Sequence, residues 1–233
     1  MCVEPLQMNM VSDTAVRVIF GTVISMETHK NIRSFCRELE KHPQKGIQEW
    51  VPSYTAVTIF YDPFLLSFDS LEAYIMNVCD SIEHHNLPDS MQVTIPVCYE
   101  EAFGPDLNQV AVHNQLTPEE VIELHTEPEY LIHMMGFLPG FPYLGGMNEK
   151  IAAPRLDAPR MKVPAGSVGI AGSQTGVYPL ESPGGWNIIG RTPKKLFLPQ
   201  ETDPVLLEAG MRIKFMPVTT DEFLEMEEKE ASC

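Results

Sequence analysis

The chain has 233 residues, of which 44% are hydrophobic and 21% charged, a balance that excludes a disordered or fibrous polymer and leaves room for two domains of about 100 residues, each with its own core. The formal net charge of −16 argues against nucleic acid or an anionic membrane as partner, because phosphate binding needs clustered Lys and Arg. The five cysteines (Cys2, Cys36, Cys79, Cys98, Cys233) form no CxxC pair, which excludes a zinc clamp or a vicinal redox pair, and their odd number argues against a disulfide framework.

Residues 15–25 (AVRVIFGTVIS) are rich in β-branched side chains and predict a strand. Ile32, Phe35, Cys36 and Leu39 then recur at i, i+3, i+4 and i+7, the spacing of an amphipathic helix, with Thr28 as the expected cap and Pro43 and Gly46 ending it. Residues 48–61 predict one extended strand or two short ones, with Pro52 interrupting the ladder. Asp62-Pro63 marks a turn. A second helix is expected from a cap at Asp69 or Ser70, with Leu71, Tyr74, Ile75, Val78 and Ile82 on one face. His84-His85 closes it, where a cation complements the helix dipole. On these faces Cys36 and Cys79 read as small buried hydrophobes. Met91–Val97 predicts another strand.

Residues 104–125 switch to helix. Thr117-Pro118-Glu119-Glu120 is a start signal, with Thr at the cap, Pro in the first turn and Glu120 completing a capping box. Tyr130–Phe137 predicts a strand. Between Gly136 and Pro199 lie eleven of the 15 glycines and nine of the 20 prolines. Short apolar pieces at 168–171, 186–190 and 196–198 alternate there with turn signals, the texture of a β-barrel or sandwich with long loops. Val205–Met216 predicts a helical turn and a closing strand. The acidic tail after Thr219 is expected to fray.

The whole reads as an α+β protein: a small N-terminal α/β sandwich over residues 1–90, then a β-barrel with an acidic tail over 91–233. No basic segment precedes an apolar core at the N-terminus, and no apolar run approaches the roughly 18 residues of a bilayer span. A cytoplasmic location is therefore expected. Charge is uneven. Lys150, Arg155, Arg160, Lys162, Arg191, Lys194 and Lys195 face two acidic residues, Asp157 and Glu181, in the same stretch, giving +5 there and −21 elsewhere. A basic island in an acidic chain suggests a small anionic ligand or an acidic surface.

Familiar catalytic patterns are absent. There is no GxxxxGK[ST], GxGxxG or HExxH in the sequence. Ala165-Gly166-Ser167-Val168-Gly169 resembles a nucleophile elbow loosely and reads as a turn. His125 and His133 lack a third ligand at metal spacing, so no metal site is expected.

The specific signal is a succession of motifs: GFLPGFPYLGG (136–146), PRLDAPRMKVPAGSVGIAGSQTGVYP (154–179) and SPGGWNIIGRTP (182–193), preceded by FGTVI (20–24), VPSYT (51–55) and EEVIELH (119–125). This order resembles the family of 5-oxoprolinase B subunits, also called allophanate hydrolase subunit 1, which includes an inhibitor of a sporulation kinase. The resemblance covers nearly the whole chain. It implies an N-terminal α+β domain and a cyclophilin-like C-terminal barrel. It also implies partners, the A and C subunits of 5-oxoprolinase, with which members use ATP to open 5-oxo-L-proline to L-glutamate. In fused relatives the same domain pair belongs to a biotin-dependent carboxyltransferase. One departure is Gly210-Met211, where the family commonly has Gly-Asp.

Opening a lactam requires the substrate carboxylate to be held and negative charge to be stabilised. Arg155, Arg160 and Arg191 suit the first task, since a guanidinium matches a carboxylate bidentately. Gln174, Tyr143 and Tyr178 are further candidate substrate contacts, Phe137, Phe141 and Trp186 candidate pocket walls, and His125 the candidate acid or base. No cofactor is expected in this chain itself: ATP would be used by the complex, and biotin would enter under the carboxyltransferase reading. A regulatory protein that binds and inhibits a histidine kinase is the alternative of a different class.

Overall fold

The computed structural model describes residues 7–82 and 91–232. The chain divides into two compact units, Met1–Asp89 and Ser90–Cys233. The expected His84-His85 helix end lies outside the described residues.

The first unit carries a four-stranded antiparallel sheet in the order β1-β2-β4-β3, formed by β1 (Gln7–Ser12), β2 (Ala15–Ile19), β3 (Ile47–Pro52) and β4 (Ala56–Tyr61). Val16 and Val18 lie opposite Ile59 and Val57. Strand alternation turns these four to one face, where they share a core with Ile32, Phe35 and Leu39 of α1 (Met26–Lys41) and Leu71, Ile75 and Val78 of α2 (Phe68–Ser81). The stretch 48–61 is thus two strands. Pro52 ends the edge strand β3, a place where a missing N–H is tolerated. Strand β1 is mostly exposed, and its alternation, Met8 and Met10 alternating with Gln7 and Asn9, is too short to announce it. Both helices start earlier than expected. Ser25 caps α1 by accepting from the Thr28 N–H at 3.1 Å, and Ser67 caps α2 by accepting from the Ser70 N–H at 3.3 Å.

The second unit is built on a seven-stranded sheet in the order β10-β9-β12-β5-β13-β6-β7. Its members are β5 (Gln92–Cys98), β6 (Tyr130–Met135), β7 (Pro142–Gly145), β9 (Ser167–Ala171), β10 (Gln174–Val177), β12 (Asn187–Arg191) and β13 (Arg212–Val218). The two end strands, β7 and β10, approach each other, so the sheet curls into a nearly closed barrel. β13 runs parallel to β5 along its whole length. A separate two-stranded ribbon pairs β8 (Arg160–Val163) with β11 (Ser182–Gly184).

The predicted helical stretch 104–125 is two helices, α3 (Leu107–Asn114) and α4 (Pro118–Thr126), separated where Gln115 takes a left-handed φ of 58°. The capping box of α4 is complete: Thr117 Oγ1 accepts from the Glu120 N–H, and the Glu120 carboxylate accepts from the Thr117 N–H. Residues 196–198 are not a strand; Phe197 makes an isolated bridge to Val205. The acidic tail forms helix α5 (Thr220–Ser232). It docks through Phe223, which is fully buried with its ring 4.4 Å from that of Phe103. One large buried apolar group outweighs the fraying expected from charge alone.

Candidate functional site

Side chains of β9 and β12 alternate between two cores. Val168, Ile170 and Ile189 point into the barrel, whereas Ala171 and Ile188 join an outer cluster with Phe141, Val163, Tyr178 and Trp186. Gly169 and Gly176 make the outer cluster possible. A Cβ at Gly176 would sit 3.1 Å from Phe141 Cζ and 3.2 Å from Trp186 Cζ3, and one at Gly169 would sit 3.1 Å from Trp186 Cβ. Rings can therefore lie directly on the sheet. Phe141 meets Tyr178 and Trp186 edge-to-face at 5.4 and 5.6 Å, the arrangement favoured by ring quadrupoles. Phe141, Tyr178 and Trp186 thus pack as a floor, with Tyr143 half-buried beside Phe141 at 5.2 Å. Phe137 stands apart: 65% exposed, at φ 69°, it touches the floor through Phe141.

The floor carries charge at its margin. Burial raises the Tyr178 phenol above its ordinary range, while Arg155, the Trp186 N–H and Arg160 pull it back. Tyr178, Arg155, Arg160 and Tyr143 are therefore electrostatic neighbours. Arg160 lies opposite Gly184 in the β8–β11 ribbon and donates from Nη2 to Asp106 Oδ1 at 2.6 Å. The other carboxylate oxygen, Asp106 Oδ2, accepts the Ile188 N–H at 2.6 Å. Asp106 precedes α3, so one buried carboxylate joins that helix to β8 and β12. Arg160 Nη1 is buried and has no hydrogen-bond acceptor among the described residues.

Arg155 is exposed on the 153–158 loop, which is fastened by the Leu156 N–H donating to Gly185 O at 2.8 Å. It lines a cleft of about 490 Å³ between this loop and α3, together with Gln109, His113, Asp157 and Asn187. Sequence reasoning misses Gln109, His113 and Asn187, because nothing local marks α3 as the wall facing Arg155. Gln174 sits at the start of β10 opposite Ala171, whose β9 neighbour Ile170 pairs with Asn187. It therefore lies at the Trp186 end of the sheet.

Arg191 and His125 have other duties. The Arg191 Nε–H donates to Ala165 O at 3.0 Å, its guanidinium lies 3.5 Å from a Glu227 carboxylate oxygen, and it covers the Phe223 ring at 5.7 Å. It fastens α5. His125 is fully buried in the barrel core, stacked on Phe215 at 4.6 Å. Thr175 donates its hydroxyl proton to Gly169 O at 3.1 Å, so its oxygen accepts the His125 Nε2–H at 2.9 Å. His125 Nδ1 is then left to accept the Tyr99 O–H at 2.8 Å. Burial pulls the imidazole pKa down to about 3 and pushes the Tyr99 phenol well up, so both stay neutral. With both ring nitrogens taken inside the core, His125 is a polar pin and not an acid or base at a ligand. Ser167 likewise begins β9, 1% exposed, and presents no nucleophile.

The family of carboxyltransferase domains, subdomains C and D, matches residues 6–207. Over 227 residues the chain is 43% identical to the 5-oxoprolinase B subunit of Bacillus subtilis (strain 168), covering 93% of this chain and 95% of that one. The chain belongs to the family of 5-oxoprolinase B subunits. It is also 39% identical to the 5-oxoprolinase B subunit of Escherichia coli O157:H7, over 89% of this chain and 94% of the relative. The crystal structure of TTHA0988 superposes with a TM-score of 0.78 at 34% identity, covering 88% of this chain and 40% of that longer one. The matched segment contains Asp106, Arg155, Arg160, Tyr178 and Asn187 and stops before α5.

Proposed function

We propose that this chain is the B subunit of an ATP-dependent 5-oxoprolinase, acting with the A and C subunits to open 5-oxo-L-proline to L-glutamate. The observation that carries this reading is the 43% identity with a 5-oxoprolinase B subunit, maintained over almost the full length of both chains. ATP activates the lactam when bound by the complex; the sequence of this chain has no phosphate-binding loop of the GxxxxGK[ST] kind. The part proposed for this chain is to hold the substrate. Arg155 and Arg160 supply cationic donors beside an aromatic floor, and the half-buried Tyr143 supplies a hydroxyl at its edge, while Tyr178, 1% exposed, belongs to the floor itself. The C-terminal unit is read as a cyclophilin-like barrel whose loops form this face. A cytoplasmic setting fits the reduced thiols of Cys36, Cys79 and Cys98. Among the described residues no helix is long and apolar enough to cross a membrane.

A second reading, a component of a biotin-dependent carboxyltransferase, draws on the carboxyltransferase description of the matching family. The same pocket would then receive the carboxyl acceptor.

The test is 5-oxoproline-dependent ATP hydrolysis with glutamate release, measured for this chain, for its co-expressed A and C partners, and for the full mixture. Activity confined to the full mixture supports the proposed role. A mixture that is inactive, or indifferent to omission of this chain, overturns it; binding of a histidine kinase would then be measured next.

A further inference from the structure

Phe137 combines two properties that the fold by itself does not explain. Its φ of 69° lies in the left-handed region, where a bulky L side chain is strained against its own backbone and glycine is not. Its ring is 65% exposed, so burial does little to offset that strain. The conformation is held by the neighbouring residues. The Gly136 N–H donates to Phe141 O at 3.2 Å and the Phe141 N–H to Leu138 O at 3.0 Å, which closes a tight loop over 136–141. Gly140, at φ 81°, is seated so close to Leu196 O that an added Cβ would lie 3.1 Å from it. The loop packs Leu138 against the outer aromatic cluster and leaves Phe137 outside, with an edge-to-face contact to Phe141 at 5.6 Å. A ring presented to solvent at a position suited to glycine points to a contact outside the chain.

The surroundings select what meets it. Phe141 joins Phe137 to Tyr178 at 5.4 Å, and Tyr178 has Arg155 and Arg160 as electrostatic neighbours. Strand β8 contributes Val163 to the same cluster and also carries Met161, 83% exposed, and the exposed Lys162. The cluster is thus flanked by exposed apolar groups and by cations, in a chain whose net charge is −16. An acidic protein surface is repelled by the rest of the molecule and attracted here, which gives it one orientation. A second copy of the chain fits poorly, because a two-fold contact would set the cations of one copy against those of the other.

We propose that Phe137 anchors a partner subunit of the complex, its ring entering an apolar pocket surrounded by carboxylates, with Met161 and the cations of this face completing the contact. That the partner is a 5-oxoprolinase subunit rests on the reading above; the face and its chemistry rest on the loop and its neighbours. Desolvated aromatic anchors dominate the energetics of many protein interfaces. A partner seated on Phe137 also stands at the edge of the aromatic floor. It walls the pocket proposed for the substrate, which is then shared between subunits.

The experiment measures the affinity of the full chain for its co-expressed A and C partners by calorimetric titration, and the activity of the mixture as this chain is raised in concentration. Phe137→Gly removes the ring and suits the backbone. It should melt within about 4 °C of the parent, bind about tenfold more weakly or worse, and regain activity at correspondingly higher concentration. Met161→Glu sets a like charge against the acidic rim and should weaken binding about tenfold with the fold intact. Phe64→Ser, at a position 97% exposed in the first unit and outside the left-handed region, should change nothing. Parental affinity for Phe137→Gly or for Met161→Glu, or equal losses at Phe137 and Phe64, overturns the proposal, and an active mixture then leaves the 5-oxoprolinase reading standing. Activity of Phe137→Gly that no concentration restores assigns the ring to the substrate and overturns the proposal too, as does self-association of the parent that Phe137→Gly abolishes. A parent chain that binds neither partner and gives an inactive mixture overturns the 5-oxoprolinase reading, and this proposal with it.

Discussion

Asp106 Oδ1 accepts from Arg160 Nη2 at 2.6 Å while Asp106 Oδ2 accepts the Ile188 N–H at the same distance. The side chain of Asp106 is 6% exposed and that of Arg160 33%, so the carboxylate carries most of the desolvation. Removing the arginine leaves a nearly buried negative charge holding one N–H. Removing the aspartate strands that N–H and a half-covered guanidinium. Asp106→Ala should destabilise the C-terminal unit by about 3–5 kcal/mol, and Arg160→Met by somewhat less. Urea unfolding of both variants and of the double variant checks this. Additive losses, with no coupling between the two sites, would show that the pair does not act as a unit.

Acid should weaken the fold through His125. Burial lowers its pKa to about 3, against about 6.5 for an unfolded histidine. Between these values the unfolded chain binds a proton that the folded chain refuses. Stability from this group is therefore complete above pH 6.5 and declines as pH falls toward 3, by about 1.4 kcal/mol per unit. His133, also lowered by burial, adds in the same direction. His125→Gln should be less stable at neutral pH, yet its stability should fall less steeply on acidification. Parallel pH profiles for the two proteins would exclude this origin.

The acidic tail is held by one ring. Phe223 is fully buried against Phe103 and under the Arg191 guanidinium. Phe223→Ala should cost about 3–5 kcal/mol and release α5, which hydrogen exchange along 220–232 would report. Leu224→Ala, at a neighbouring position 47% exposed, should change little. Equal effects at the two positions would contradict a helix docked by Phe223.

Gly104 has no room for a side chain. A Cβ there would overlap the carbonyl oxygen and carbon of Ile189, and backbone cannot step aside as a flexible side chain can. Gly104→Ala should destabilise by about 2 kcal/mol or more. It should also shift α3 away from β12, so thermal melting and the activity of the reconstituted mixture should suffer together. A variant as stable as the parent would show that the α3 junction yields easily.

Much of this protein was legible from local signals. The i, i+3, i+4, i+7 spacing around Phe35 announced α1, and Thr117 with Glu120 announced the start of α4, because caps and helix periods are written in neighbouring residues. The density of Gly and Pro after Gly136 announced short strands and long loops. The motif succession from 136 to 193 announced the family. The two helix caps were misplaced by two or three residues because Ser25 and Ser67 compete with equally good candidates, and the alternation of strand β1, confined to Met8 and Met10, is too short to be read.

What the tertiary structure alone decided is which residues meet. His125 looked available for chemistry and is sealed between Tyr99 and Thr175, which lie 26 and 50 residues away. Asp106 reaches Arg160 across 54 residues and Ile188 across 82. Asn187 shares a cleft with Arg155 only because α3 and the 153–158 loop meet beside β12. Periodicity and turn chemistry act within a few residues, so the sequence by itself determines elements, charge and family. Pairing across the barrel depends on register and chain path, so the fold chooses among basic and polar residues that look alike along the chain and gives each its surroundings.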